Sequence, residues 1–183
     1  MVFAVQHGLG AHHGEGYQTG LAAYDVWAKA LRDEKFINTN KDVGFGNAYN
    51  AQCWFECRRN AVGFLNLAKK RLDDPELDGL FDEAIDQYSN VRDLLQDVAT
   101  AYAFNPSKGE AMGERLQQQS TRLRAAAALE KARDAERAGL VALARIARKL
   151  GAEDMPDTIE VPPISAGAAG QPSDLDKADA ADD

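Results

Sequence analysis

A single stretch, residues 47–72, collects most of the side chains in this chain that could do chemistry. It reads NAYNAQCWFECRRNAVGFLNLAKKRL, in which Cys53 and Cys57 are thiols four positions apart, with Glu56 between them and Arg58 after them. A thiolate beside a base can act as a nucleophile, and thiols are common zinc ligands. The stretch is too polar for an ordinary core helix, yet it matches no catalytic signature.

The histidines needed for thiol or metal chemistry lie far from this stretch in the sequence. His7, His12 and His13 are all in the glycine-rich N-terminal segment, and there is no third cysteine. A nucleophilic Cys53 or Cys57 would need one of these histidines folded over it, although a cysteine in mid-helix is usually a small buried hydrophobe. A zinc site would need the same histidines, and a ferritin-like di-iron site lacks its Glu-x-x-His pairs. The sequence therefore predicts no catalytic residue, no metal and no cofactor, and leaves open whether the chain is an enzyme.

Four amphipathic helices must position these side chains, and no strand pattern competes with them. The first begins near the N-cap Thr19, and the second occupies residues 47–72 after a turn-rich break, INTNKDVGFGN. The third starts at Pro75, a favourable first helical residue, behind the capping Asp74. The fourth ends at Gly151.

Apolar residues recur every three or four positions along these helices, which predicts the faces that pack together. The stripe of the first helix is Leu21, Tyr24, Trp27, Ala28 and Leu31; that of the third is Leu77, Phe81, Ala84, Tyr88, Val91, Leu95, Val98 and Tyr102; that of the fourth is Leu129, Ala132, Glu136, Leu140, Leu143, Ile146 or Ala147, and Leu150. Short connections favour antiparallel neighbours, so the predicted fold class is all-α, an up-and-down bundle of four main helices.

Charge separates a balanced body from an acidic C-terminal segment. The net charge of −8 resides in residues 152–183, which carry nine acidic residues against Lys177, together with several prolines. Such a composition predicts a disordered acidic tail, in which IEVPPI is the only apolar island and could dock in extended form. The predicted organisation is a flexible segment over residues 1–16, a helical bundle domain over 17–151, and the tail over 152–183.

Length, charge and hydropathy limit the partners. The N-terminal residues lack the pattern of a signal peptide, and no window approaches the roughly 18–20 apolar residues of a membrane span, so we expect a cytoplasmic protein with no membrane partner. The basic residues of the fourth helix are interspersed with acids, so nucleic acid is not an expected partner. The long stripe of the third helix is wide enough for a second copy, which would give a homo-oligomer.

The candidate site lies where the first two helices face each other. Aromatic, thiol, amide and charged side chains of the second helix would face aromatic residues of the first helix. The predicted site residues are Tyr24, Trp27, Asn50, Cys53, Trp54, Glu56, Cys57 and Arg58. The preferred function is a non-enzymatic helical module that binds a partner protein or a small ligand there. A buried hydrogen-bond network, with Glu56 paired to Arg59 or Lys29, is the structural alternative. The functional alternative is a thiol-dependent hydrolase or transferase that uses Cys53 or Cys57 with an N-terminal histidine.

Three segments in this region also carry a resemblance. GLAAYDVWAKALRD, NAQCWFECRRNAVGFLNLAKKRL and LFDEAIDQY resemble the helical portion of uncharacterised bacterial and archaeal proteins with a butirosin-biosynthesis-protein-H-like, C39-peptidase-like module. The resemblance covers residues 17–104, a little under half the chain, and rests on the spacing of aromatic and small residues. It implies a helical companion domain standing alone. In proteins of that kind, a preceding α/β region would supply a catalytic cysteine and histidine, so no catalytic residue carries over.

Overall fold

A computed structural model describes residues 1–11, 17–39 and 43–161 of the chain, and its fold is all-α. Four helices form the body of the bundle: α2 (Leu21–Arg32), α4 (Val43–Leu72), α5 (Pro75–Tyr102) and α7 (Gln119–Lys149). Three short helices join or flank them: α1 (Val2–Gly8), α3 (Glu34–Thr39) and α6 (Gly109–Gln117). The four long elements correspond to the four predicted helices.

Helix α5 shows how local sequence sets an element. The Asp74 carboxylate accepts a hydrogen bond from the backbone N–H of Glu76 at 2.9 Å, and Pro75 occupies the first helical position, as predicted. Ala103, in a left-handed conformation with φ of 34°, ends the helix. Every member of its predicted stripe, from Leu77 to Tyr102, is buried.

The bundle is not equally tight on all sides. Helix α5 packs closely on α7 and α4, and α2 packs on α7, whereas the backbones of α2 and α4 scarcely approach each other. Buried apolar side chains form two clusters along the bundle, one around Tyr102 and Leu129 and the other around Phe81 and Leu140. The side of the bundle between α2 and α4 is therefore the open one.

A buried arginine ties three helices together near one end of the bundle. Arg122 is only 4% exposed and donates hydrogen bonds to the carbonyl of Leu31 at 3.1 Å and to those of Leu116 and Gln117 at 3.0 and 2.9 Å. These carbonyls lie in the last turns of α2 and α6, where intrahelical donors run out. The guanidinium thus caps two helices from a third.

The break expected between the first two helices is shorter than predicted. Residues 37–39 belong to α3, and α4 begins at Val43 rather than near Asn47. A Cβ atom on Gly44 would lie 2.7 Å from the Cα of Gly113, so glycine here permits α4 and α6 to cross closely. The two glycines read as turn residues, Gly44 and Gly46, therefore lie inside a helix. Helix α6, which the sequence did not predict, buries Met112 and Leu116 in the core.

Both ends of the described chain are more ordered than predicted. Residues 2–8 of the segment expected to be flexible form α1, and its Val5 is fully buried. Residues 152–161 of the expected disordered tail return to the bundle, where Ile159 is 5% exposed and Asp157 pairs with Arg148. Burial of Val5 and Ile159 stabilises the two end segments, although their composition predicted flexibility and disorder. The rest of the predicted tail, residues 162–183, lies outside the described residues.

Candidate functional site

A buried polar layer crosses the middle of the bundle, between the two apolar clusters. Arg58 of α4 binds Glu136 of α7 through two hydrogen bonds, Nε to Oε2 at 2.9 Å and Nη2 to Oε1 at 2.6 Å. The hydroxyl of Tyr24, from α2, donates to the same Oε2. The side chains of Arg58 and Glu136 are only 19% and 7% exposed. The Glu136 carboxylate therefore connects α2, α4 and α7, and its contact with Arg58 is a bidentate, charge-assisted hydrogen bond.

Burial and charge determine the ionisation of this layer. Burial, and next the charge of Glu136, raise the pKa of Tyr24 well above its usual value. The same two causes raise the pKa of Tyr88, which also faces the layer. Burial lowers the pKa of Arg58, but the charge of Glu136, the two tyrosines and the hydrogen bond with Glu136 together outweigh it, so the net pKa is raised. Both tyrosines are therefore neutral and the guanidinium charged throughout the physiological range.

Trp54 connects this polar layer to the surface. Its ring meets the ring of Tyr24 edge to face at a centroid distance of 4.8 Å, and the guanidinium of Arg58 lies 5.6 Å from its centroid. On the other side Trp54 meets Trp27 edge to face at 5.6 Å. Trp27 in turn donates from Nε1 to Oδ1 of Asn47 at 2.8 Å. These contacts fix both tryptophans of the chain on the side where α2 and α4 are apart.

An open groove of about 680 Å³ lies beside these tryptophans. Its lining comes from α2, α3, α4 and the segment before α2, and among the described residues it contains no charged side chain. The lining residues are Tyr17, Gln18, Ala23, Val26, Trp27, Ala30, Leu31, Phe36, Ile37, Val43, Gly46, Asn47, Asn50 and Trp54. We call it the α2/α4 groove. Its volume falls in the range of small-molecule sites, about 300–1,000 Å³.

Two lining residues of the groove carry buried polar atoms without a hydrogen-bond partner. They are Oε1 of Gln18 and Nδ2 of Asn47, and Asn47 is only 6% exposed. Within the described chain the remaining atom of this kind is the hydroxyl of Tyr102, which does not line the groove. Most buried polar atoms in folded proteins are hydrogen-bonded, so two exceptions at one groove need an explanation.

The eight predicted site residues divide into three groups. Trp27, Asn50 and Trp54 line the α2/α4 groove, as predicted for the interface of the first two helices. Tyr24 and Arg58 belong to the polar layer beneath it. Cys53, Glu56 and Cys57 do not line the groove; Cys53 is half-buried, and Glu56 and Cys57 are exposed. Their grouping in one site with Tyr24 and Trp27 stays a prediction.

Two of these side chains have partners within α4 itself. Glu56 accepts a hydrogen bond from Gln52 at 2.7 Å, so the predicted pairing with Arg59 or Lys29 is wrong. A hydrogen bond with Cys53 raises the pKa of the exposed Tyr49. The thiols are not linked to each other, since both cysteines are free.

The structure describes one of the three histidines proposed for thiol catalysis. His7 lies on α1, which packs on α7 near Leu140, and His12 and His13 lie outside the described residues. Within the described ranges no cluster of three metal-binding side chains occurs.

Three residues of the site were missed from the sequence. Glu136 was placed on the core-facing stripe of the fourth helix without a role, although a carboxylate within an apolar stripe indicates a buried ion pair. Asn47 was read as the start of the second helix, because its position inside α4 depends on where that helix begins. Gln18 lies before the first helix and carries no sequence signal.

No protein-family model, curated protein or solved structure matches this chain. Each helix in the described part of the chain is too short or too polar to cross a membrane.

Proposed function

We propose that this chain is a non-enzymatic helical module that binds a small organic molecule in the α2/α4 groove. The observation that carries the proposal is the open groove of about 680 Å³, whose mostly apolar lining includes the half-buried rings of Trp27 and Trp54. An apolar cavity with a few polar groups is the usual form of a small-molecule site.

The polar layer supports the proposal by holding one wall of the groove in place. Trp54 packs against Tyr24 and Arg58, and both of these are fixed by Glu136. A wall fixed before binding loses little conformational entropy when a ligand arrives. We infer that the layer positions the groove and takes no part in chemistry, because its charges are paired with each other.

Within residues 1–11, 17–39 and 43–161, other functional expectations from the sequence have no contact in their favour. The thiol-dependent enzyme would need a histidine beside Cys53 or Cys57, and α1 carries His7 on α7 rather than on the outer face of α4. A protein partner, a homo-oligomer, a cytoplasmic location and the resemblance to butirosin-biosynthesis-protein-H-like modules stay predictions.

A blocking substitution tests the proposed function. Gly46 lines the groove within α4, and a Cβ atom added there meets no atom within 4 Å, so Gly46→Leu places a side chain at the groove without a clash. Gly63→Leu is the matched control, because Gly63 is exposed, has the same open surroundings and lies on the same helix away from the groove. The probe is N-phenyl-1-naphthylamine, an uncharged aromatic amine whose fluorescence rises in apolar sites.

The proposal predicts saturable probe binding to the wild-type protein and to Gly63→Leu. In Gly46→Leu the dissociation constant is expected to rise about tenfold or more, since the added side chain competes for the same volume. Native mass spectrometry of the purified protein, before and after denaturation, would show directly whether a small molecule is carried. Absence of probe binding, or equal binding to all three proteins, would refute the proposed function.

A further inference from the structure

We propose that the outer face of α4 is the interface of a homodimer, in which the α4 helices of two copies of this chain pack against each other in antiparallel orientation. This face carries four exposed large apolar side chains: Phe45, Tyr49, Phe64 and Leu67. None of them lines the α2/α4 groove, so the inference is independent of the proposed function. The apolar stripe of α5, by which the sequence predicts a homo-oligomer, is buried within a single chain.

The exposed apolar area of this face is large. Its four side chains are each between 45% and 60% exposed. Since a large aromatic side chain offers about 150–250 Å², they leave roughly 400 Å² of apolar surface in contact with water. Exposed apolar surface of this extent often marks a protein–protein contact. It supplies about half of the 800 Å² that each partner buries in a standard interface, and the polar side chains between them supply more.

The spacing of these side chains is self-complementary. Phe45 and Tyr49 form an apolar group near the start of α4, where their rings stack at a centroid distance of 6.4 Å. Phe64 and Leu67 form a second group near its end. Tyr49 and Leu67 are 18 positions apart, or five helical turns, so they point in the same direction about 27 Å from each other. A two-fold axis perpendicular to α4 therefore places the first group of each copy against the second group of the other.

Two polar residues lie between the apolar groups and pair in the same arrangement. Glu56 and Asn60 are exposed and lie at equal distances from the midpoint between Tyr49 and Leu67. When Tyr49 faces Leu67 of the second copy, Glu56 therefore faces its Asn60. Glu56 accepts one hydrogen bond from Gln52, and its carboxylate can accept another from the Asn60 amide. The polar middle of the face is thus satisfied by the two-fold axis that pairs the apolar ends.

The charges at the two ends of the face favour the antiparallel orientation. Lys70 and Arg71 are exposed in the last turn of α4. At the other end, α6 crosses the start of α4 at Gly113, and the exposed Glu110 lies one turn before Gly113 on the same side of α6. Arg115 lies about 160° around α6 from Gly113, so the acid and not the base is on the side of α4. Antiparallel pairing brings Lys70 and Arg71 beside Glu110 of the second copy, whereas parallel pairing would set them against their own copies.

Sedimentation velocity in reducing buffer, from micromolar to near-millimolar protein, tests the interface. We expect the wild-type protein to shift from monomer to dimer over this range. Leu67→Glu should raise the dimer dissociation constant about tenfold or more, because it places carboxylates in an apolar contact. Leu72→Glu is the matched control and should leave the constant unchanged, since Leu72 is 43% exposed on the same helix but points about 140° away from Leu67. Circular dichroism verifies that both variants fold. A monomer at every concentration, or an equal loss in the two variants, would overturn the inference.

A charge exchange tests the orientation of the two copies. Arg71→Glu and Glu110→Arg should each raise the dissociation constant about threefold at low salt, because each sets like charges together at both ends of the dimer. The variant with both substitutions exchanges the two signs and should return the constant to near the wild-type value. Failure of this double variant to recover would overturn the antiparallel arrangement. These residues do not line the α2/α4 groove, so probe binding is measured separately and the two proposals stand or fall independently.

Discussion

Two helix interfaces of the same bundle are built in opposite ways. Between α5 and α7 small residues allow close approach: Gly139 lies against the ring of Tyr88, and a Cβ atom there would be 2.8 Å from its Cε2. Between α2 and α4 the large residues Trp27 and Trp54 meet edge to face and leave an open groove beside them. At the first interface Tyr88 and Leu140 are buried, whereas at the second Trp27 and Trp54 are only half-buried.

The two interfaces contribute differently to the stability of the bundle. Closely packed helices contribute dispersion and apolar burial over their whole length, so α5 and α7 supply much of the stability. The α2/α4 side contributes less, because its tryptophans are half-buried. Half-buried aromatic side chains beside an open groove are typical of a binding surface. The polar layer anchors both α2 and α4 to α7, through the hydrogen bonds of Tyr24 and Arg58 to Glu136.

The largest expected effect comes from breaking the polar layer. Glu136→Leu removes the partner of a buried guanidinium and of the Tyr24 hydroxyl, and should lower the free energy of unfolding by about 3–5 kcal/mol. Urea denaturation followed by circular dichroism measures this change. The double variant Arg58→Met with Glu136→Leu should recover much of the loss, because no buried charge then remains unpaired. A single variant as stable as the wild type would show that the layer does not anchor the helices.

Two buried tyrosines should respond differently to loss of their hydroxyl groups. Tyr24→Phe removes a hydrogen bond to a charged carboxylate and should cost about 1.5–3 kcal/mol. Tyr102→Phe is the matched comparison, since its hydroxyl is buried without a partner, and it should be neutral or stabilising by about 1 kcal/mol. Equal losses in urea denaturation would contradict the assignment of the partners.

Two helical glycines test the tight and open interfaces directly. Gly139→Ala forces a methyl group against the ring of Tyr88 and should destabilise the protein by about 1–3 kcal/mol. Gly46→Ala faces open space in the groove and should stabilise it by up to about 1 kcal/mol through helix propensity. Thermal unfolding of the two variants compares them. A stabilising Gly139→Ala would mean that α5 and α7 are less closely packed than described.

The last prediction concerns stability at alkaline pH, outside the physiological range. Burial raises the pKa of Tyr102 to about 12, so the folded protein holds this proton at pH values where the unfolded chain releases it. The contribution to stability is therefore complete below pH 10 and is lost as the pH rises from 10 to about 12, by about 1.4 kcal/mol per pH unit. Urea denaturation of Tyr102→Phe and wild type should show equal pH dependence up to pH 9 and a shallower decline for the variant above pH 10. Parallel curves across that range would contradict the raised pKa.

Part of the fold follows from short-range sequence information, as α5 shows. Its start depends on Asp74 and Pro75, which act within one turn, and its stripe depends on a spacing repeated within the helix itself. The start of α4 could not be predicted in the same way, since Gly44 serves there to let α6 approach rather than to make a turn. The candidate site was predicted in part. Trp27 and Trp54 meet across the first two helices, as the facing stripes indicated, whereas the cysteines do not line the groove, because which residues of α4 reach it depends on the neighbouring helices.

The sequence by itself determined the helical class, the four long helices and the stripes by which α2, α5 and α7 pack. The reason is that helix periodicity and capping involve residues within one or two turns of each other. Only the tertiary structure decided that Tyr24, Arg58 and Glu136 meet, since the hydrogen bonds to Glu136 span 112 and 78 positions of the chain. It also decided that α2 and α4 stand apart and leave a groove, because the separation of two helices depends on every side chain between them and their shared neighbours.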